Sequence, residues 1–293
     1  MNVLVLGGTR YFGIHMVKAL FNRGHDITIA TRGLTKDEFG KKVRRVVINR
    51  TDPNSITEAF HGKHYDVVCD NLAYCSNDVK SLLDNVKCDR YIMTSSASVY
   101  SNIHMDIKEN EYDARNYPLQ WCNRQDYPYD EVKRQAECAL FQCYTNVESV
   151  AVRLPYVIGE DDYTKRLYFY VEEMIKGSTL SINNLDEKIA FISSCEAGKF
   201  IAWLAEQHLT GPINGSNSGV ISLHEVIGYV QQKTGMAAKL SEEGLNGSFN
   251  DQKSFSLDNA YANAKGYHFP DLKPWVWGLL DNYIDKAKNN MRI

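Results

Sequence analysis

The sequence predicts an α/β fold in which a doubly wound parallel sheet is joined to a smaller C-terminal lobe. Two observations carry this prediction. An apolar run at the start of the chain leads through a glycine-rich turn into a segment with helical spacing of apolar residues. Further short apolar segments then alternate with helix-like segments. Strands that are apolar along their whole length are typical of a parallel sheet covered by helices on both faces.

The elements follow one another over the first half of the chain. The predicted strands span residues 3–6, 26–33, 43–49, 65–71, 89–96 and 147–159, the last including an abrupt loop. The predicted helices span residues 15–24, 54–60, 78–86 and 129–140. Because parallel sheets bind ligands beyond the carboxyl ends of their strands, we expect the functional residues to lie at those ends.

The pattern changes near residue 160. A helix-like segment at 166–177, short strands and two final helices separated by Gly266 and Pro270 follow. We therefore predict a main domain over 1–160 and a substrate lobe over 161–293, with some of its segments returning to the main sheet. No low-complexity linker separates the two parts, so we expect them to pack closely.

Composition narrows the classes of function. The net charge is −3 and the longest basic stretch is the short Lys41–Arg45 segment, so nucleic acid is an unlikely partner. No stretch approaches the roughly 20 apolar residues of a membrane span, and residues 1–6 already read as structure. Seven cysteines and eight histidines lack ligand spacing. We expect a cytoplasmic protein with reduced thiols, no membrane partner and no metal.

The glycine turn predicts a dinucleotide site. A pyrophosphate needs backbone N–H groups and a helix N-terminus at close range, and glycine leaves room for that approach. The alternative is an ordinary strand-to-helix turn that uses glycine for its positive φ angle. The residues that we assign to this part of the site are Gly7, Gly8, Thr9, Arg10, Tyr11, Phe12 and Gly13.

A tyrosine and a lysine one helical turn apart suggest proton transfer. Tyr129 is a poor base at neutral pH unless a nearby positive charge, here Lys133, stabilises its phenolate. A hydroxyl that orients a substrate alcohol or carbonyl is also needed, and we choose Ser96 from the segment Thr94–Tyr100. The alternatives are an accidental pair on a helix surface and a plain serine-rich turn.

The ordered set GGTRYFG, TSSASVY, YDEVK and RLPYVIG resembles the extended short-chain dehydrogenase/reductase superfamily, in its NAD-dependent epimerase/dehydratase branch. The resemblance implies a Rossmann domain, a nicotinamide cofactor and a sugar-like substrate, which is nucleotide-linked in some members. It further implies that Tyr129 is the catalytic acid/base, that Lys133 lowers its pKa and holds the nicotinamide ribose, and that Ser96 binds the reacting oxygen. Family members often form homodimers through the helix that carries this tyrosine and the helix at 78–86.

The family's arrangement also implies which residues line the cofactor. Asn49 would lie near the adenine, and Tyr74 could face the substrate. Besides the glycine turn, Tyr129 and Lys133, the implied cofactor residues are Thr31, Arg32, Asn49, Arg50, Asn71, Leu72, Ala73, Thr94, Ser95, Leu154 and Pro155.

Two departures from the family pattern bear on the cofactor. Arg10 replaces the middle glycine of the phosphate loop, so its side chain must point away from the pyrophosphate. Thr31 and Arg32 stand where an NAD enzyme usually has an acid for the adenosine ribose. Arginines near that ribose suit a 2′-phosphate. We therefore predict NADP, with NAD as the alternative if Arg10 and Arg32 are only solvated surface residues.

The substrate is less well defined by the sequence. Tyr156 replaces the asparagine of nucleotide-sugar epimerases, and Ser96 is followed by Ala97 and Ser98 rather than by the acid pair of a sugar dehydratase. An epimerase and a reductase both remain open. Asp162, Tyr163, Lys165 or Arg166 could reach a polar substrate, although the spacing there favours a packed helix or a dimer contact. A non-catalytic regulator that binds NAD(P), or an RNA-associated protein like the chloroplast stem-loop RNA-binding proteins, is the alternative function.

Overall fold

A computed structural model describes residues 1–291 of the chain. The strands are β1 Asn2–Leu6, β2 Asp26–Thr31, β3 Arg44–Val47, β4 Lys63–Asp70, β5 Val86–Ser96, β6 Glu148–Leu154, β7 Tyr156–Ile158, β8 Thr179–Ser181, β9 Lys188–Ile189, β10 Phe191–Ser193, β11 Gly211–Asn214, β12 Ile221–Ser222, β13 Lys239–Leu240 and β14 Leu245–Asn246. The helices are α1 Phe12–Asn22, α2 Pro53–Phe60, α3 Ser76–Leu83, α4 Tyr129–Cys143, α5 Arg166–Lys176, α6 Ser194–Leu204, α7 Leu223–Thr234, α8 Ala260–Ala264 and α9 Leu272–Asn290.

Seven strands form the central sheet, in the order β11-β6-β5-β4-β1-β2-β3. Every neighbouring pair in this sheet is parallel. The predicted doubly wound, Rossmann-type sheet is therefore confirmed. From β1 the chain moves outwards through β2 and β3 and then returns to β4 on the other side of β1, so the strand order reverses there. Such a reversal opens a crevice at the carboxyl ends of the two strands.

The alternation of side chains along β1 explains why both faces of the sheet are covered. Val3 and Val5 join the apolar core beneath α1 and α6, whereas Leu4 and Leu6 join the core on the face that carries α2, α3 and α4. All four side chains are fully buried. A strand with apolar side chains on both faces cannot lie at a solvated surface, and it therefore occupies the middle of the sheet.

Two predicted boundaries are wrong. Helix α3 runs over Ser76–Leu83 rather than 78–86, because the Asp78 carboxylate accepts the backbone N–H groups of Tyr74 and Cys75 and so starts the helix early, while Val86 opens β5. The segment predicted as one strand with its loop at 147–159 forms two strands. Pro155 has no N–H for a sheet ladder, and beyond it β7 leaves the main sheet and pairs with β10.

The C-terminal part of the chain is shared between the two regions. Strand β11 extends the main sheet beside β6, and α6 packs against α1. Helices α5, α7 and α9 and the small sheets around β8 and β9 form the remaining lobe. The division into 1–160 and 161–293 stays a prediction, and residues 292 and 293 lie outside the described range. No helix within residues 1–291 is both long enough and apolar enough to cross a membrane.

A buried ion pair ties α4 to the sheet. Arg153 of β6 and Glu137 of α4 have no exposed side-chain surface, and their Nη2 and Oε2 atoms lie 2.6 Å apart. We expect Glu137→Ala to lower the free energy of unfolding by about 3–5 kcal/mol, because it leaves the Arg153 charge buried without its partner. Chemical denaturation would measure this loss. Lys80→Ala removes an exposed pair with Asp84 and should cost less than about 1 kcal/mol; similar losses in both variants would contradict the prediction.

Candidate active site

The glycine turn brings strand β1 and helix α1 into unusually close contact. Gly7 has a φ of +84°, which favours glycine. A Cβ atom added to Gly13 would lie 2.1 Å from the carbonyl oxygen of Gly7. Helix α1 begins at Phe12 with no side-chain cap and no acidic residue in its first turn. Its first N–H groups are therefore free of side-chain partners, which fits the binding of a pyrophosphate.

We call the cavity in front of this turn the cofactor cleft. It has a volume of about 430 Å³ and lies at the carboxyl ends of β1, β2, β3 and β4. Four arginines line it and no acidic residue of the described chain does, so it suits an anionic ligand. Its lining residues are Gly7, Thr9, Arg10, Tyr11, Phe12, Gly13, Thr31, Arg32, Leu34, Thr35, Ile48, Asn49, Arg50, Thr51, Asn71, Leu72, Tyr74, Arg124 and Tyr163.

Two of the four arginines lie beside the loop that follows β2. The Nε atom of Arg10 donates a hydrogen bond to Thr35 Oγ1 at 3.0 Å, so the side chain extends towards that loop. The side-chain hydroxyl of Thr31 accepts the backbone N–H of Gly33. Arg32 is exposed and lines the cleft next to Thr31. Arg10 and Arg32 thus lie at one end of the cofactor cleft, as the sequence predicts.

The other two arginines fix the loop after β4. Arg50 is buried and donates from Nη2 to Asp70 Oδ2 at 2.8 Å and to the Asp78 carbonyl at 2.6 Å. Arg124 donates to the Asp78 carboxylate at 2.9 Å and to the Leu72 carbonyl at 2.8 Å. Sequence reasoning missed Arg124, because its loop precedes the Tyr129 motif and no local pattern marks it as part of the cleft.

The remaining predicted cofactor residues meet at the ends of β4 and β5. Thr94 donates from Oγ1 to Asn71 Oδ1 at 2.7 Å, which orients the asparagine side chain at the junction of the strands. Leu72 packs where a Cβ atom of Gly7 would lie, at 3.0 Å. Ala73 is fully buried and offers its carbonyl oxygen to Lys133. Gly8, which packs against Val5 and Val17, and Ala73 line neither the cofactor cleft nor the cavity that adjoins it, and the roles of the predicted residues stay predictions.

A second cavity, the reaction cavity, opens beyond the ends of β5 and β6 and has a volume of about 360 Å³. Five residues, Tyr11, Phe12, Asn71, Tyr74 and Tyr163, line both cavities, so the two adjoin. The lining consists of Tyr11, Phe12, Asn71, Tyr74, Thr94, Ser95, Ser96, Ala97, Ser98, Ile103, Tyr129, Lys133, Leu154, Pro155, Tyr156, Val157, Tyr163, Thr164, Arg166, Gln252 and Phe255. Tyr129, Lys133 and Ser96 thus line one cavity, and their catalytic roles stay predictions.

Tyr129 is the first residue of α4 and half of its side chain is exposed. Burial raises the pKa of its phenol above the usual value, whereas the nearby Ser96 hydroxyl and the charge of Arg166 oppose that rise. The Ser96 hydroxyl also accepts the backbone N–H of Ser98 at 3.1 Å. The hydroxyl of Ser96 is therefore held next to the phenol.

Lys133 lies one turn further along α4 and is buried. Its Nζ donates to the carbonyl oxygens of Ala73 at 2.8 Å and Thr94 at 2.7 Å, and it lies 5.0 Å from the centre of the Tyr74 ring. Burial lowers the pKa of Lys133 to about 8. The backbone of two strand ends thus fixes the ammonium at the base of the cavity. That it lowers the pKa of Tyr129 stays a prediction.

The serines around the cavity have different surroundings. The Ser95 hydroxyl donates a hydrogen bond to the buried Glu137 carboxylate at 2.5 Å, so this hydroxyl is engaged within the protein core. The Ser98 hydroxyl is buried and has no hydrogen-bond partner among residues 1–291. Ser98 lines the cavity and was not among the predicted site residues, although it lies in the same serine-rich segment. Leu154 and Pro155 are buried and supply part of the apolar wall.

One group of possible metal ligands lies away from both cavities. Ligand atoms of His64, Asp66 and Asp89 lie within 4.8 Å of one another near the starts of β4 and β5. The sequence spacing did not indicate this group, because two different strands contribute to it. His64 pairs with Asp89 at 3.0 Å, and Asp66 accepts the backbone N–H of Asn2 at 2.6 Å. The three side chains therefore have partners within the protein.

Comparison with known proteins agrees with this geometry. Residues 3–87, which contain the glycine turn and the first four strands, match the NAD dependent epimerase/dehydratase family. The predicted resemblance to this family is confirmed over these residues. The match includes every residue of the cofactor-cleft lining except Arg124 and Tyr163, and it ends before Ser96 and Tyr129.

Two curated proteins are similar over shorter stretches. The chloroplast stem-loop binding protein of 41 kDa b from Arabidopsis thaliana is 28% identical over 130 residues, which are 39% of this chain and 34% of that protein. The 2′-dehydrokanamycin reductase from Streptomyces kanamyceticus is 29% identical over 99 residues, which are 33% of this chain and 28% of that protein. The alignments thus span about a third of the length of these curated relatives.

Solved structures resemble the whole chain. The UDP-glucuronic acid 4-epimerase from Bacillus cereus, in complex with UDP-glucuronic acid and NAD, superposes with a TM-score of 0.74 at 16% identity. The superposition covers 99% of each chain. At this level of identity the likeness establishes the shared fold, including the C-terminal lobe.

Proposed function

We propose that this protein is a nicotinamide-dependent oxidoreductase or epimerase that acts on an alcohol or carbonyl of a sugar-like small molecule. One observation carries the proposal. Tyr129, Ser96 and Lys133 line a single cavity that adjoins a cleft built around the glycine turn. The epimerase/dehydratase match over residues 3–87 and the presence of NAD in the Bacillus cereus structure support the same cofactor class.

The residues of the cofactor cleft fit a dinucleotide. The first turn of α1 offers backbone N–H groups, and Arg124 adds a positive charge beside the loop after β4. Asn71 and Tyr74 line both cavities and would flank the cofactor where it passes from one into the other. When bound, the nicotinamide accepts or returns a hydride at the reacting carbon.

Three side chains of the reaction cavity have different roles in the proposed proton transfer. The Ser96 hydroxyl orients the reacting oxygen by a hydrogen bond, and Tyr129 takes the proton from an alcohol or gives one to a carbonyl. Lys133 supplies a fixed positive charge, which favours the phenolate of Tyr129 and offers a donor for the nicotinamide ribose. The hydrogen bonds of Lys133 to two carbonyl oxygens keep it in place without neutralising that charge.

We further propose that NADP is the preferred cofactor. Arg10, Arg32 and Thr31 line the end of the cleft that follows β2, and no acidic residue of the described chain lines it. NADP⁺ should therefore bind at least about tenfold more tightly than NAD⁺, since charge-assisted hydrogen bonds contribute about 1.5–3 kcal/mol. Calorimetric titration would measure both affinities.

The matched variants are Arg32→Ala and Arg23→Ala. Arg32→Ala should lower the affinity for NADP⁺ and have little effect on the affinity for NAD⁺. Arg23 lies at the far end of α1 and pairs with Glu206, so Arg23→Ala should leave the preference unchanged. Equal affinity of the wild type for NAD⁺ and NADP⁺ would overturn the assignment.

Reduction and epimerisation make different demands on cofactor exchange. An epimerase keeps its cofactor between cycles, whereas a reductase releases it at every turnover. The likeness to 2′-dehydrokanamycin reductase and the arginines of the cleft support a reductase, while the Bacillus cereus fold relative is an epimerase. Denaturing freshly purified protein would distinguish the two functions. Release of bound dinucleotide would indicate an epimerase, and its absence would indicate a reductase.

The likeness to the chloroplast stem-loop binding protein supports a second candidate, an RNA-associated role. The net charge of −3 and the full set of Tyr129, Lys133 and Ser96 weigh against it. RNA binding that persists at physiological salt, together with the absence of turnover, would support this role instead.

A cytoplasmic location and a homodimer formed through α3 and α4 are also part of the proposed function.

A further inference from the structure

The reaction cavity carries positive charge that no acidic residue balances. Lys133 and Arg166 line it, and no aspartate or glutamate of the described chain does. Lys133 already has two carbonyl partners and a place in the proposed mechanism. The guanidinium of Arg166 lies 5.8 Å from the centre of the Tyr156 ring and forms no salt bridge with any residue from 1 to 291. Arg166 therefore lines this cavity without a carboxylate partner among residues 1–291, and its guanidinium lies over the Tyr156 ring.

The nearby acidic residues are engaged elsewhere. Glu160 accepts a hydrogen bond from a side-chain amide of α9. Asp161 pairs with His15 of α1 at 3.0 Å. Asp162 is buried and accepts the hydroxyl of Thr164 at 2.5 Å. Three acids thus precede Arg166 closely in the sequence, and none of them forms a salt bridge with it among residues 1–291, although Oδ2 of Asp162 is buried without a hydrogen-bond partner.

The backbone around Arg166 places this cation in an unfavourable position. Arg166 is the first residue of α5, which has no acidic residue in its first turn. A positive side chain at a helix N-terminus is electrostatically disfavoured. The preceding Lys165 has a φ of 55°, in the left-handed region that non-glycine residues rarely adopt. Local strain of this kind is concentrated at functional sites.

The size of the cavity favours a compact ligand. Its volume of about 360 Å³ lies near the lower end of the roughly 300–1,000 Å³ typical of ligand pockets, and it must also admit the nicotinamide end of the cofactor. Tyr156, Gln252 and Phe255 line one side. The Tyr156 hydroxyl donates to Gln252 at 2.8 Å, and its ring packs 5.0 Å from that of Phe249. These contacts form a wall supported by the C-terminal lobe.

We propose that Arg166 binds an anionic group, a carboxylate or a phosphate, carried by the same monosaccharide-sized substrate whose alcohol or carbonyl lies at Tyr129. The proposal rests on the proposed function and narrows its substrate to sugar acids and sugar phosphates without a nucleotide. Guanidinium groups bind both kinds of anion through two parallel hydrogen bonds. The absence of a competing carboxylate from the lining leaves Arg166 available for this contact.

The test compares acidic compounds with neutral ones of the same size. Cofactor-dependent turnover is measured by nicotinamide absorbance with D-glucuronate, D-gluconate and D-glucose 6-phosphate, and with D-glucose and sorbitol. UDP-glucose and UDP-glucuronate are included because a nucleotide-linked sugar also carries phosphate. The variants are Arg166→Gln, Arg166→Lys and, as a control, Lys176→Gln, which removes a positive charge from the other end of α5.

Turnover confined to the free acids or the sugar phosphate would support the proposal. Arg166→Gln should then raise KM about 10- to 100-fold with a smaller change in kcat, since a charge-assisted bond to the substrate is lost. Arg166→Lys should recover part of the loss, and Lys176→Gln should resemble the wild type. Activity with the carboxylates or with the phosphate identifies the anion.

Equal use of neutral sugars, or a preference for the UDP-sugars, would overturn the proposal. If no compound is turned over, calorimetry with NADP⁺-loaded protein tests the role of Arg166 instead. The proposal then requires that D-glucuronate binds the wild type more tightly than D-glucose does. It also requires that Arg166→Gln abolishes this difference in affinity. Protein that binds no nicotinamide cofactor would instead refute the proposed function. Protein that binds cofactor and oxidises neutral sugars would refute only the role of Arg166.

Discussion

Tyr129→Phe should lower kcat by about 10²- to 10⁴-fold and leave cofactor affinity nearly unchanged. The reason is that the variant removes only the hydroxyl that exchanges a proton with the substrate, and positioned acid/base groups contribute rate factors of this size. The ring remains at the start of α4, where it meets Tyr74 edge to face with centroids 6.2 Å apart. Steady-state kinetics with the first substrate found, beside titration of NADP⁺, would measure the two effects.

The control is Tyr127→Phe. Tyr127 lies two residues earlier, is exposed, and donates its hydroxyl to Gln120 rather than into the reaction cavity. Loss of that hydroxyl should leave both kcat and cofactor affinity as they are. Undiminished turnover in Tyr129→Phe would dismiss Tyr129 as the proton-transfer group, and an equal loss in Tyr127→Phe would indicate a general disturbance of α4.

The role of Lys133 has a separate signature in the ionisation of Tyr129. Burial raises the pKa of the phenol, and Lys133 directs its hydrogen bonds to the Ala73 and Thr94 carbonyl oxygens. Ultraviolet titration of tyrosine, compared between wild type and Tyr129→Phe, identifies the contribution of this residue. If Lys133 acts as the family resemblance implies, the pKa of Tyr129 is lower in the wild type than in Lys133→Met.

The parts of the fold that follow from short-range patterns could be predicted from the sequence. The apolar runs of β1, β2, β4 and β6 predicted a parallel sheet, because strands buried on both faces have that composition. The glycine turn and the spacing of Tyr129 and Lys133 are local patterns as well. The turn lies at the carboxyl end of β1, and the two side chains lie on α4 and line the reaction cavity. Local patterns were therefore sufficient to single out Tyr129 and Lys133, whereas their proposed catalytic roles rest on the family resemblance.

The parts that depend on distant residues could not be predicted in this way. Arg124 enters the cofactor cleft from an irregular loop because Asp78 and the Leu72 carbonyl hold its guanidinium. Near Arg166, Asp161 contacts His15, which is 146 residues away in the sequence, and Glu160 contacts Asn282 of α9. Periodicity carries no information on such contacts, and the same residues in isolation are typical of a solvated helix end.

The second large effect concerns the glycine turn itself. A Cβ atom at position 13 would lie 2.1 Å from the Gly7 carbonyl oxygen, a backbone atom that cannot move without shifting the end of β1. Gly13→Ala should therefore lower the free energy of unfolding by about 1–3 kcal/mol, the usual cost of forcing atoms into a filled space. It should also weaken cofactor binding at least about tenfold, because the turn and the first N–H groups of α1 move together.

Gly228→Ala provides the matched control. Gly228 lies within α7, is exposed, and a Cβ atom there would meet no other atom within 4 Å. Alanine at this position should stabilise the protein by about 0.5–1 kcal/mol and leave cofactor binding unchanged, since glycine is the poorer helix former. Thermal unfolding with and without NADP⁺ separates the two effects, because a ligand of the native state adds stability that rises with the logarithm of its affinity. A Gly13→Ala protein with wild-type stabilisation by NADP⁺ would show that the close contact of β1 with α1 does not shape the cofactor cleft. Stabilisation lost in Gly13→Ala but kept in Gly228→Ala would tie cofactor binding to that contact.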